Sequence, residues 1–149
     1  MYKFMHICFF LIGFYCCSTP ESAYKAAKKH SDLKIKETYK ILDYIEEYSF
    51  TGSGVIYIVF QLNDKDLKGL VTASKRKKYK TISIKNLIDD GFIDADPRYG
   101  INLYTRDIRQ IAKGVGYYKL RTRNLKKLDF SITILDVTNK ELIIYVNIP

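Results

Sequence analysis

Beyond residue 17 the chain contains no cysteine: Cys8, Cys16 and Cys17 all lie in its opening apolar stretch. A body without thiols has no cysteine nucleophile, no thiolate metal site and no disulfide, so burial alone must hold it together. Histidine is almost as scarce, with His6 near the start and His30 as the sole other. Once the opening segment is set aside, two-histidine metal sites are excluded and imidazole catalysis rests on His30, in a lysine-rich stretch. Phosphate loops are missing as well, because "GSG" (52–54) and "GVG" (114–116) lack the Gly-Lys-Ser/Thr ending that brings a lysine to the phosphates. No internal repeat or low-complexity tract is present.

Long apolar runs are also lacking. The run from Ile7 to Cys17 is shorter than the ~20 residues a helix needs to cross a bilayer. A positive start (Lys3), a short apolar centre and a small residue at Ser18 instead match a secretory signal, with cleavage expected after Ser18. Two alternatives compete with plain secretion. One is lipid attachment at Cys16 or Cys17, although Tyr15 and Cys16 stand where a small residue would precede the acylated cysteine; the other is an uncleaved helix buried in the fold. Directly after this run, "STPES" carries helix-start chemistry: Ser18 or Thr19 as cap, Pro20 in the first turn, and Glu21 at the positive end of the dipole.

Removing residues 1–18 leaves 131 of the 149 residues, which is enough for one domain, 19–149, with a real core. What the chain has in excess is positive charge. Its 25 basic and 16 acidic residues give +9, or +8 without Lys3, and a chain this basic favours anionic partners such as nucleic acid, acidic glycan, lipid headgroup or acidic protein.

Hydrophobic spacing of three and four (Ile35, Tyr39, Leu42, Ile45) predicts helix over 20–48, continuous or broken near "KHSD". "VIYIVFQL" (55–62), apolar on both faces, predicts a central strand, and "NDKD" followed by "LKGLVTA" predicts a hairpin return. The stretch "GVIYIVFQLNDKDLKGLV" resembles the first hairpin of TonB-type carboxy-terminal domains, over generic strand and turn too short to assign a family. Short helices are expected at 83–90, stopped by Gly91, and at 105–113, stopped by Gly114, with "DADPRYG" (94–100) a loop. Three strands follow, "VGYYKLRTR", "LDFSITILDV" and "ELIIYVNI", the last two joined across "TNK". The resulting expectation is α+β: an N-terminal helix packed on an antiparallel sheet of about five strands, with two short helices.

Two segments concentrate the charge. "KRKKYK" sets Lys75, Arg76, Lys77, Lys78 and Lys80 around Tyr79 without an acid. In a strand over "VGYYKLRTR", Tyr117, Lys119, Arg121 and Arg123 share one face while Tyr118 and Leu120 take the other; Lys113, Lys126 and Lys127 extend the row. The ordinary explanations are a solvated loop and an edge strand whose charges prevent sheet-to-sheet association. The functional reading is an anion-binding surface, with Tyr79 stacking on a base or sugar. Asp89, Asp90, Asp94 and Asp96 form an acidic group whose spacing does not fit an EF-hand, because Arg98 falls where an oxygen donor is needed; pairing with the lysine cluster is the simpler expectation. Neighbouring carboxylates, such as Asp94 with Asp96 or Glu46 with Glu47, are candidate acid–base pairs for a hydrolase, a common pattern and a weak signal.

The function expected is therefore an exported, non-enzymatic binding module that engages an anionic macromolecule or protein, with no cofactor and no metal. A structural or assembly component of a cell-envelope complex is the alternative, and a small basic hydrolase using His30 or Asp94 a third.

Overall fold

The structure, a computed structural model, describes residues 19–93, 102–103, 105–124 and 129–149. The opening segment with its expected cleavage point, Cys16 and Cys17 lies outside the described residues, as do the 94–100 loop with Asp94 and Asp96, and Lys126 and Lys127.

Thr19 opens helix α1 (Pro20–His30) through a reciprocal cap: its hydroxyl accepts the Ser22 N–H while the Ser22 hydroxyl accepts the Thr19 N–H at 3.0 Å. Pro20 and Glu21 fill the first turn, and Lys28, Lys29 and His30 the last, where cations suit the negative end of the dipole. Ala23 and Ala27, one turn apart, are the buried face of α1. Their small side chains let the helix lie close on the sheet, where Tyr24 stacks on Phe60 with ring centroids 5.6 Å apart.

The helix stops there. Residues 31–39 run as a non-helical segment that buries Leu33, Ile35 and Tyr39, and then β1 (Lys40–Tyr48) forms where the apolar spacing predicts helix. The cause is a bulge between Ile41 and Asp43. One extra residue shifts the alternation, so Ile41 and Tyr44 share one face and Ile45 takes the other. A bulged strand thereby imitates the three-residue step of a helix.

β2 (Gly54–Gln61) pairs back on β1 and is buried on both faces, as its composition predicts. The expected hairpin return is instead helix α2 (Asp64–Arg76), so the resemblance to a TonB-type hairpin ends at β2. Asn63 caps α2 by accepting the Asp66 N–H at 2.9 Å, and Leu67, Leu70 and Ser74 form its buried stripe. Gly69 sits on the exposed face.

Strand β3 (Lys80–Thr81) and helix α3 (Ile84–Asp89) follow, the helix capped by Ser83 and stopped by Gly91 at φ +66°, a left-handed conformation that glycine adopts without strain. The short ladder β4 (Asn102–Leu103) with β5 (Arg106–Asp107) leads into one helical turn, α4 (Ile108–Ile111), capped by Asp107. Three long strands complete the chain: β6 (Gly116–Asn124), β7 (Asp129–Asp136) and β8 (Glu141–Ile148). The main sheet has six strands in the order β1-β2-β8-β7-β6-β3, every neighbouring pair antiparallel. The fold is α+β, with one strand more than the sequence predicts: β1 and β3 are gained, and 67–73 is helix.

Each face of the sheet carries a core. On one side α1, α2 and the 33–39 segment cover Ile58, Phe60, Leu135, Leu142 and Ile144; on the other α3, α4, Phe92 and Leu103 cover Tyr57, Tyr118, Ile132, Ile134 and Ile143. Burial on both faces explains why the central strands lack a clean polar–apolar alternation.

Candidate functional site

β3 sits at the sheet edge, with Lys80 opposite Tyr118 and Thr81 opposite Tyr117. This two-residue ladder lays the 75–80 segment beside β6 and brings the two cationic stretches together. Lys77 closes α2, donating its N–H to Ala73 O at 2.9 Å, and Lys78 takes a left-handed conformation (φ +57°) that swings the chain from helix into strand.

At the centre is a carboxylate with no local connection to either stretch. Asp32 follows the end of α1; its Oδ2 accepts from Lys119 Nζ at 2.7 Å and lies 3.2 Å from Arg121 Nη2, while its Oδ1 accepts from the Tyr79 hydroxyl at 2.6 Å. Lys77 Nζ donates to the Asp32 carbonyl, and Lys119 Nζ also reaches Lys77 O at 3.3 Å. Burial raises the Asp32 pKa, but the hydrogen bonds from Lys119 and Tyr79 and the charges of Lys119 and Arg121 outweigh it and bring the carboxyl down to about 2. Asp32 is therefore ionised at neutral pH, and the same contact, with burial, pushes the Tyr79 phenol up.

The expected stacking role of Tyr79 is corrected by this geometry. Its ring is only 7 % exposed, Lys119 Nζ stands 5.5 Å from the ring centroid, and its hydroxyl is committed to Asp32. Tyr118 is fully buried on the opposite face, donating to Asp90 Oδ2 at 2.7 Å and to Asn86 O at 3.0 Å. Tyr117 packs half-buried against the helix-side core, with Lys75 Nζ 6.0 Å from its ring centroid. The aromatic rings hold the edge together, and Lys75, Lys78 and Lys80 are exposed along it.

Lys80 pairs with Asp90, the intramolecular contact expected between the lysine cluster and the acidic group. Burial raises the Asp90 pKa, while hydrogen bonds from Lys80 and Tyr118 more than reverse this and lower it. Arg76 faces away from the edge, lining a groove with Lys34, Lys65 and Tyr39. Arg123 lies within β6, its side chain outside the described residues, and Lys113 is exposed just after α4. The edge thus gathers Lys75, Lys77, Lys78, Lys80, Lys119 and Arg121, and among the described residues the carboxylates in contact with them are Asp32 and Asp90. Six cations against two ionised acids leave four positive charges among these residues.

Of the hydrolase candidates, Asp94 and Asp96 lie outside the described residues. Glu46 and Glu47 are consecutive in β1 and point to opposite faces, Glu46 accepting from the Tyr44 and Tyr48 hydroxyls. His30 borders a cavity of about 200 Å3 that also holds Lys29, Arg121 and Asp129; Glu37, seven residues on, pairs with Lys28 at 2.6 Å. A separate polar cluster joins Arg106 to Glu141 at 2.9 Å and Tyr57 to Thr105 at 3.1 Å, tying the β4–β5 ladder to the sheet. Burial pushes the Glu141 carboxyl up despite the Arg106 charge. Among the described residues no group of three or more metal-ligating side chains converges, and no helix is long and apolar enough to cross a membrane. The chain matches no family model, no curated protein and no solved structure.

Proposed function

We propose that the protein is an exported, non-enzymatic binding module that engages an anionic partner through the edge built from the end of α2, β3 and β6. One observation carries the reading: stretches separated by some forty residues in sequence converge into a surface where, among the described residues, cations exceed acids by four. Like charges held together at an edge repel one another, and an anion that relieves the repulsion is bound. Export rests on the short apolar opening with Lys3 before it and Ser18 after it. The test is affinity for heparin, an acidic peptide and duplex DNA against ionic strength. Binding to at least one should fall steeply with salt; absence of binding to all three at low salt rejects the reading.

A second reading, an assembly component of an envelope complex, draws on the opposite edge. β1 has no described strand beyond it, and Leu42, Tyr48 and Phe50 are exposed there and in the adjoining turn. It predicts a protein complex, seen by light scattering, that survives moderate salt.

A further inference from the structure

Resting on the anion-binding reading, we infer that the partner is an acidic segment of another protein in extended conformation, which adds as a strand to β6 where β3 stops. β3 covers only Tyr117 and Tyr118, whereas β6 runs on to Asn124, and no described strand pairs with that remainder on the outer side. The register identifies the open groups. Ile82 N donates to Gly116 O at 3.0 Å, so Gly116 and, by alternation, Tyr118, Leu120 and Thr122 direct their backbone N–H and C=O outward. Lys80 meets Tyr118; the next places belong to Lys78 and Arg76, which the left-handed turn at Lys78 and the end of α2 have removed from the ladder. Leu120 and Thr122 are left facing a notch of about 360 Å3, bordered by Lys78, Lys80, Lys119 and Asp90.

The occupant follows from the charges and the backbone together. A row of main-chain donors and acceptors with no described strand opposite it is matched by another main chain, which nucleic acids and glycans do not have. Lys78, Lys80, Lys119 and Arg121 favour carboxylates on that chain, and Asp90, the one acid in the notch, is already neutralised by Lys80. The same cations repel this edge on a second copy, so protection against self-pairing and selection of an acidic partner are one property. A single-stranded nucleic acid would want exposed rings for its bases, and Tyr79 and Tyr118 are buried.

The experiment uses the full chain and a fluorescent nine-residue peptide of alternating Thr and Glu, with two isomers N-methylated on either set of alternate nitrogens. All three carry the same charge. At least one isomer should bind about tenfold more weakly than the parent, because strand addition loses main-chain hydrogen bonds that charge attraction does not need, and hydrogen exchange at the Leu120 and Thr122 amides should slow when the parent peptide is added. Two isomers within twofold of the parent, or unchanged exchange at those amides, overturn strand addition while leaving anion binding intact. Heparin or DNA bound with no binding of any peptide does the same. No binding of any of these polyanions removes both readings, and protection of the same amides by self-association without peptide overturns the assignment of the partner.

Discussion

Lys119 Nζ and Asp32 Oδ2 lie 2.7 Å apart although 87 positions separate them in the chain. Under the proposed function the carboxylate occupies the place at the edge where a partner's anion would go, so it would compete with that anion as well as stabilise the fold.

Replacing Asp32 with Asn separates the two roles. Stability should fall by about 1–2 kcal/mol, allowing for solvent screening of the pair, and affinity for an acidic peptide should rise severalfold because Lys119 and Arg121 are released. Chemical denaturation and fluorescence anisotropy measure these; unchanged affinity would mean the two cations serve the fold alone.

The pH dependence has a definite sign. The folded Asp32 carboxyl titrates near 2, below its ordinary value of 3.8, so its stabilisation is complete above pH ~4 and is lost as pH falls towards 2. Asp90 is lowered and acts in the same direction, whereas Glu141 is raised and opposes them as pH climbs through the carboxylate range. Acid unfolding followed by circular dichroism should therefore be shallower below pH 4 in the Asp32→Asn variant than in the parent.

Tyr79→Phe distinguishes a structural tyrosine from a ligand-stacking one. Losing its hydrogen bond to Asp32 should cost about 1–2 kcal/mol and leave DNA or peptide affinity within twofold. An affinity loss of tenfold with stability unchanged would restore the stacking role.

Lys75 and Lys78 are exposed, and the Lys75 ammonium stands 6.0 Å from the Tyr117 ring centroid. The double variant Lys75→Ala, Lys78→Ala should change stability by no more than about 0.5 kcal/mol, and should weaken binding of a polyanion severalfold while flattening its dependence on salt.

Helix α2 offers a test of local chemistry. Asn63→Ala removes the side-chain acceptor for the Asp66 N–H and, with it, the 2.8 Å contact from Asn63 Nδ2 to Asp66 Oδ2. A loss of about 1 kcal/mol is expected, measurable by thermal unfolding.

The strands β2, β7 and β8, the caps at Thr19 and Ser83 and the stop at Gly91 are legible because each rests on nearest neighbours: β-branched runs, a hydroxyl before a helix, a glycine after one. The alternation of Lys119 and Arg121 against Tyr118 and Leu120 is legible for the same reason. β1 is not, since its bulge gives Ile41, Tyr44 and Ile45 a spacing proper to helices. α2 carries a usable signal that the turn-like run "NDKD" obscures: Asn63 as cap, acids in the first turn, and Leu67, Leu70 and Ser74 on one face. The centre of the edge is the least legible part, because nothing within ten residues of Asp32 identifies Tyr79, Lys119 and Arg121 as its partners; that knowledge belongs to the strand order.

The strand order has a further consequence. β8, made last, lies between β2, made early, and β7, so a chain emerging amino end first holds α1, β1 and β2 with one flank of their sheet unfilled until residues 141–148 arrive. Among the described strands β8, rather than the charged edge, is therefore the element whose loss would part β1 and β2 from β7, β6 and β3.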